Sequence, residues 1–88
     1  MNNTVEKLEN CLRMALNPSL LTIQDDSALH AGHAGNTGGG HFSIVIVSDA
    51  FTGIPLIKRH KLVYEATADL MKTEIHGLSI QAKAPTEN

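Results

Sequence analysis

The sequence predicts an α/β (α+β) protein with the element order α-β-β-α-α-β, in which one sheet carries its helices on one face. Two observations indicate this class. Apolar residues recur at helical spacing at the start of the chain and again after Pro55, whereas β-branched residues are concentrated within residues 41–49. Packing the helical stripes against one face of the strands is the economical way to bury both.

The first helix is predicted over residues 4–16. Its apolar positions share one stripe at 3.6-residue spacing: Val5, Leu8, Leu12, Ala15 and Leu16. Asn3 with Glu6 fits a capping arrangement, although Asn2 or Thr4 would serve as well. Pro18 ends the helix because the residue before a proline is displaced from the α region. Cys11 lies beside the stripe and is interpreted as a small buried or half-buried apolar residue.

Two strands and a long loop follow the first helix. Residues 20–26 predict a strand with Leu21 and Ile23 on one side. Residues 27–40 are rich in Gly, Ala, His and Ser, a composition typical of a flexible loop. Residues 41–49 predict the clearest strand, and its apolar side chains on both faces indicate the middle of a sheet.

The second half of the chain begins with the segment 51–64. Gly53 suits a bend with positive φ, and Pro55 suits the first turn of a helix. Several residues are predicted to share one side of that helix: Leu56, His60, Val63, Thr67 and Leu70. The cations Lys58, Arg59 and Lys61 are assigned to its other surfaces.

A break near Thr67 is predicted to separate this helix from a second one at residues 69–72. A last strand is predicted over residues 75–82, with four side chains pointing one way: His76, Leu78, Ile80 and Ala82. Residues 84–88 are expected to be a disordered tail with nothing to bury.

The composition limits the function. The 88 residues predict a single small domain, and the net charge of -2 means that any binding to phosphates must come from a local patch. Cys11 is the one cysteine, which excludes an internal disulfide and a zinc or iron–sulfur site built on this chain's own thiolates. Neither a leader nor a membrane span is visible, so we expect a cytoplasmic protein that does not bind membranes. No catalytic triad, phosphate loop or pair of carboxylates in a plausible pocket suggests an enzyme.

The histidines are the candidate metal ligands. His60 is assigned to helix packing and His41 to the rim of a strand. His30 and His33 have His-x-x-His spacing, a weak zinc pattern because structural zinc normally takes four ligands. His76 opens the last strand where an apolar residue is expected, so it either caps the sheet edge or binds a ligand. If the last strand lies beside the first, the loop can bring His30 near His76.

The chain resembles the BolA family in an ordered set of motifs. These are Phe51-x-Gly53 and Arg59-His60-x-x-Val63-Tyr64, preceded by Asp26-Ser27, His30-Ala31-Gly32-His33-Ala34-Gly35, His41-Phe42 and Val47-Ser48, and followed by Ile75-His76-Gly77. The resemblance spans residues 5–83 and implies one domain at residues 1–83, with a three-stranded mixed sheet arranged as in a type II KH domain. The Gly-x-x-Gly clamp of true KH domains is absent because Ile-Pro-Leu follows Gly53, which weakens any inference of RNA binding.

The same resemblance implies a function and a partner. BolA-like proteins bind monothiol glutaredoxins, and the pair holds a [2Fe–2S] cluster with a cysteine and a glutathione thiolate from the glutaredoxin side. On this chain the implied ligands are His76 and the loop residue His30, with His33 as the alternative. We therefore expect a non-enzymatic regulator in iron–sulfur trafficking or in iron and stress regulation, which is a monomer or weak homodimer when alone.

Two further interpretations stay open. The cations Lys58, Arg59 and Lys61 suit phosphate contacts, and BolA proteins have been regarded as DNA-binding transcriptional regulators. Three such contacts predict shallow salt dependence and weak, mostly non-specific binding. The third interpretation is an interaction module without metal.

Overall fold

The helices and strands follow the predicted order. The computed structural model describes residues 3–26 and 40–87. The elements in chain order are α1 (Asn3–Leu16), β1 (Leu20–Asp25), β2 (Gly40–Val47), a 3-10 helix (Asp49–Phe51), α2 (Leu56–Ala66), α3 (Ala68–Thr73) and β3 (Ile75–Lys83). The loop histidines His30 and His33 lie outside the described residues. Within the described ranges, no helix is both long and apolar enough to cross a bilayer.

The sheet is mixed, with strand order β1-β2-β3. β1 pairs antiparallel with β2, and β3 pairs parallel with β2. The prediction that the second strand lies in the middle is confirmed. β3 lies beside β2 and not beside β1, so the condition under which a neighbouring first strand would bring His30 near His76 is not met. The crossover through α2 and α3 gives β3 the parallel direction, since parallel strands need such a long connection.

The core lies between the helices and one face of the sheet. Alternate residues of β2 are buried in it, namely Phe42, Ile44 and Ile46. The helices contribute Leu8, Leu12 and Leu16 from α1, Val63 from α2 and Leu70 from α3. Ala15 is exposed, unlike the rest of its predicted stripe, because the buried contacts of α1 recur at every fourth residue. Cys11 is half-buried against this core, as expected.

The backbone turns agree with their sequence signals. Asn17 adopts a left-handed φ of 45° after α1, and its N–H donates to the carbonyl of Arg13 at 3.1 Å. Gly53 has a φ of 74°, which confirms the predicted bend before α2. Thr67 separates α2 from α3, and its hydroxyl donates to the carbonyl of Val63 at 2.9 Å. The predicted helix break is therefore confirmed.

The buried side of α2 differs from the prediction in its first turn. Leu56 is 64% exposed and His60 is half-buried, whereas Arg59 is only 6% exposed. The predicted side is correct from Val63 onward. Helical periodicity places Arg59 on the surface because arginine is charged. It cannot reveal hydrogen-bond partners that would allow the guanidinium to be buried. Here Arg59 donates to the carbonyls of Ile54 and Ala82 and to the carboxylate of Glu87.

Residues 84–87 contact the body of the domain. Ala84 is 1% exposed, so the prediction that this segment has nothing to bury is wrong. The carboxylate of Glu87 accepts both Nη1 and Nη2 of Arg59, at 2.6 and 2.7 Å. An ion pair between positions 28 residues apart leaves no periodic signal in a sequence.

Candidate functional site

His76 lies at an irregularity at the start of β3. Gly40 pairs with Ile75 and His41 pairs with Gly77, so His76 is an extra residue that has no partner in the register of β2. Such bulges are common beside functional sites because they redirect a side chain. His76 is exposed, whereas Leu78 and Ile80 of the same predicted row are half-buried and Ala82 is buried. Its imidazole is therefore accessible from solvent.

The ring of His41 lies next to that of His76. The two ring centroids are 5.0 Å apart, and the ring planes are inclined by 56°. The ring of His41 lies over Gly77, where a Cβ atom would come within 2.8 Å of Nδ1. Sequence reasoning missed this pair because the two histidines are far apart in sequence, and the register that joins them includes a bulge.

Asp26 and Gly40 are the described residues that flank segment 27–39. Both are held beside the His41–His76 pair. Asp26 donates its N–H to the carbonyl of His41 at 2.7 Å, and its carboxylate accepts the hydroxyl of Ser43. Gly40 donates its N–H to the carbonyl of Glu74 at 3.0 Å. Residues 26 and 40 therefore both lie at the end of the sheet that carries His76.

Helix α1 supports the same end of the sheet through Glu74, the residue before β3. Lys7 Nζ and Thr4 Oγ1 each donate to the Glu74 carboxylate at 2.8 Å. The bonds from Lys7 and Thr4 favour the ionised carboxylate and hold the pKa of Glu74 below its ordinary value. These contacts fix the turn that leads into His76.

This end of the sheet offers an incomplete ligand set. Within residues 3–26 and 40–87, no group of three or more His, Cys, Asp or Glu residues is arranged to hold a metal ion. His41 and His76 supply two imidazoles, and Cys11 packs against the core from α1. Imidazole nitrogen is a suitable ligand for one iron of a [2Fe–2S] cluster, as in Rieske centres. The donor type fits such a cluster, but the described residues do not complete its coordination.

The second candidate site, the basic helix, is smaller than the sequence indicates. Lys58 and Lys61 are exposed on α2 and border a shallow groove that Ile54, Leu62 and Glu65 also line. Arg59 lies on the buried side, where its contact with Glu87 raises the pKa of the guanidinium and lowers that of the Glu87 carboxyl to about 2. The prediction of three solvent-facing cations is wrong for Arg59.

The exposed surface of α2 also carries apolar side chains. Ile57 is 80% exposed, and Tyr64 is 41% exposed. These two residues line one groove with His60 and Lys61. A separate groove of about 450 Å³ lies between α2 and the end of β3, next to Arg59. The second groove is lined by the end of β3, whereas His76 lies at the start of that strand.

Comparison with known proteins gives consistent matches. A family model described as BolA-like protein matches residues 12–87. The chain is 47% identical over 88 residues to SufE-like protein 1, chloroplastic/mitochondrial, of Arabidopsis thaliana, covering 93% of this chain and 23% of that protein. It is 40% identical over 92 residues to Protein BOLA1, chloroplastic, of the same plant, covering 100% of this chain and 58% of that protein.

A bacterial relative and a solved structure extend these matches. The chain is 37% identical over 75 residues to the DNA-binding transcriptional regulator BolA of Escherichia coli strain K12, covering 85% of this chain and 70% of that protein. The structure of the BolA domain of SufE1 from Arabidopsis thaliana matches with a TM-score of 0.88 and 41% identity, over 100% of this chain and 99% of that one. The chain thus spans less than two thirds of both plant relatives, but nearly all of the excised domain.

Proposed function

Because this chain belongs to the BolA-like protein family, we propose that it is a non-enzymatic regulator that binds a monothiol glutaredoxin and shares a [2Fe–2S] cluster with it. His76 would bind the cluster from β3. His30 would be the second ligand from this chain, with His33 as the alternative. The glutaredoxin cysteine and its bound glutathione would supply the thiolates. The role would be iron–sulfur trafficking or iron and stress regulation.

The exposure of His76 is the observation that carries the proposal. A ligand to a cluster shared between two proteins must reach the surface, and the bulge at the start of β3 leaves this imidazole accessible. The two ends of the loop that contains His30 and His33 are held at the same end of the sheet, by Asp26 and Gly40. A second ligand from that loop is thus compatible with the fold.

The incomplete ligand set is the reason for a partner. Two imidazoles from one chain cannot satisfy both irons of a [2Fe–2S] cluster, which normally takes four protein ligands. When bound, the cluster supplies one-electron chemistry, and histidine ligands raise its reduction potential relative to thiolates alone. His41 packs beside His76 and limits the orientations that the His76 ring can adopt.

The test is cluster assembly under anaerobic conditions with a monothiol glutaredoxin, glutathione, iron and sulfide. We expect a coloured complex of the two proteins, and His76→Ala should change its visible absorption and circular dichroism. His30→Ala and His33→Ala, made separately, identify the loop ligand. His60→Ala is the matched control because this half-buried histidine lies on α2. An unchanged spectrum with His76→Ala would refute the assignment.

DNA binding is the second candidate, and it is favoured by the similarity to the DNA-binding transcriptional regulator BolA of Escherichia coli. The exposed residues Lys58 and Lys61 would contact phosphates, whereas Arg59 would position α2 through its buried contacts. Two phosphate contacts give a slope of about −1.8 in a plot of log K against log salt concentration. Gel shifts at physiological salt should weaken with Lys58→Ala and Lys61→Ala combined, with Lys72→Ala on α3 as the control.

A competition experiment separates the two candidates. Labelled DNA is titrated with this protein in the presence and absence of the glutaredoxin, and formation of the coloured complex is followed with and without DNA. If the cluster complex is the functional state, the coloured complex forms at the same protein concentration whether or not DNA is present. The absence of any gel shift would exclude the DNA-binding role.

A further inference from the structure

His41 and His76 form a pair of imidazoles where β2 and β3 begin to run side by side. His41 lies on the face of the sheet opposite the core, because it precedes and alternates with the buried residues Phe42 and Ile44. Its partner in register is Gly77, and His76 is the extra residue immediately before that glycine. The ring of His41 lies over Gly77, which brings it next to the ring of His76.

The separation and tilt of the two rings suit one metal ion held between them. A zinc ion binds an imidazole nitrogen at about 2.0–2.1 Å with tetrahedral angles, which places the centroids of two ligand rings roughly 5 Å apart. The centroids of His41 and His76 are 5.0 Å apart, and the ring planes are inclined by 56°. Stacked parallel rings direct their in-plane nitrogens along parallel lines, whereas inclined rings allow one nitrogen of each to point at a common position.

The backbone holds both histidines in place before any ligand binds. His41 is on the central strand, and its carbonyl accepts the N–H of Asp26 at 2.7 Å. On the other side, Gly40 donates its N–H to the carbonyl of Glu74 at 3.0 Å, two residues before His76. Ligands that are carried on fixed strands need little ordering when a metal ion binds.

The surroundings favour a cation but do not complete its coordination. The carboxylate of Asp26 accepts the hydroxyl of Ser43, which lies two residues along β2 from His41 on the same face. This carboxylate places a negative charge on the same part of the sheet, where it attracts a cation. Within residues 3–26 and 40–87, no third His, Cys, Asp or Glu joins the two imidazoles in a metal-ligating group. Water or an external ligand therefore fills the remaining positions, and a bound ion exchanges readily.

We propose that His41 and His76 together bind one divalent transition-metal ion of the kind that prefers imidazole ligands, such as Zn²⁺. This inference does not rest on the proposed cluster, since it requires neither the glutaredoxin nor the loop histidines. Both sites use His76, so a chain that holds this ion does not contribute His76 to a shared cluster at the same time. The ion belongs to the chain without its partner.

The test is a titration of the full chain with Zn²⁺ in the absence of glutaredoxin and glutathione. Calorimetry gives the stoichiometry and the affinity, and the nitrogen-15 chemical shifts of the imidazoles identify the ligands. We expect one ion per chain, with shifts at the ring nitrogens of His41 and His76. His76→Ala should weaken binding at least about tenfold, because even the loss of an outer-shell partner commonly reduces metal affinity by that factor.

His41→Phe separates a ligand role from a packing role, because phenylalanine keeps an aromatic ring over Gly77 but has no nitrogen. It should weaken binding as much as His76→Ala does. The controls are His60→Ala and the combined His30→Ala and His33→Ala variant, which should bind Zn²⁺ with unchanged affinity. The imidazole shifts of the unmodified chain test the ligand assignment without any substitution.

Three results would overturn the proposal. The first is the absence of saturable one-to-one binding by the unmodified chain. The second is an affinity that His41→Phe leaves unchanged, with no Zn²⁺-dependent shift at the His41 ring nitrogens. The third is the loss of binding when the loop histidines His30 and His33 are replaced, because the ion would then be held by the loop.

Discussion

At the scale of single residues, the Arg59–Glu87 pair makes stability depend on pH. The hydrogen bonds from Arg59 lower the pKa of Glu87 from 4.5 to about 2. A lowered carboxyl pKa gives stability that is fully present above pH 4.5 and is lost as the pH falls towards 2. We therefore expect Glu87→Gln to be less stable than the unmodified chain at pH 6, with a difference that shrinks between pH 4.5 and pH 2.

Urea unfolding at several pH values measures this difference. The matched control is Glu65→Gln, because Glu65 is exposed on α2. This control should show little change in the free energy of unfolding at any of these pH values. A stability difference for Glu87→Gln that is the same at pH 6 and pH 2 would show that Arg59 does not hold the carboxylate in solution.

Ser48 is a second residue whose contacts predict a measurable cost. It is buried, its hydroxyl donates to the carbonyl of Leu16, and the same oxygen accepts the N–H of Ala50 at 3.1 Å. Ser48→Ala leaves both backbone groups without this partner, so we expect a loss of roughly 1–3 kcal/mol in the free energy of unfolding. Ser79→Ala, at an exposed position of β3, should change it by less than about 0.5 kcal/mol.

At the scale of the elements, the bulge at the start of β3 depends on the absence of a side chain at Gly77. A Cβ atom there would lie 2.8 Å from Nδ1 of His41. We expect Gly77→Ala to cost roughly 1–3 kcal/mol in the free energy of unfolding, because the ring must move. The same substitution in a His41→Ala background should cost less, and the double-mutant cycle gives the coupling between the two positions.

Gly53→Ala provides the contrast to Gly77→Ala. Gly53 has open space around its Cβ position but a φ of 74°, so the added methyl group strains the backbone and contacts no neighbour. Truncating a nearby side chain should therefore leave the cost of Gly53→Ala unchanged. If the cost of Gly77→Ala is equally insensitive to His41→Ala, the ring of His41 does not lie over Gly77.

The elements themselves were largely predictable from the sequence. Helix α1, the central strand and the break at Thr67 follow from periodicity, β-branching and local hydrogen bonding, which are properties of neighbouring residues. The burial of Arg59 did not follow, because two of its hydrogen-bond partners, Ala82 and Glu87, lie far along the chain. The His41–His76 contact was missed for the same kind of reason, since it depends on strand register.

At the scale of the whole molecule, the core of this 88-residue domain depends on few large side chains. Phe51 is completely buried, although it belongs to a three-residue 3-10 helix between β2 and α2. The sequence marks Phe51 as the start of a motif, and the structure shows that it is one of the largest fully buried residues. A short connection thus contributes to the core that joins the helices to the sheet.

Phe51→Ala should therefore affect the entire fold. Phe→Ala substitutions at buried sites typically cost 3–5 kcal/mol, which is a large part of the roughly 5–15 kcal/mol that stabilises a domain. We expect a lower denaturation midpoint with an unchanged slope in urea, because the same surface is exposed on unfolding. Ile57→Ala is the control, since that side chain is 80% exposed on α2. If Phe51→Ala and Ile57→Ala shifted the midpoint equally, the connection before α2 would not be part of the cooperative core.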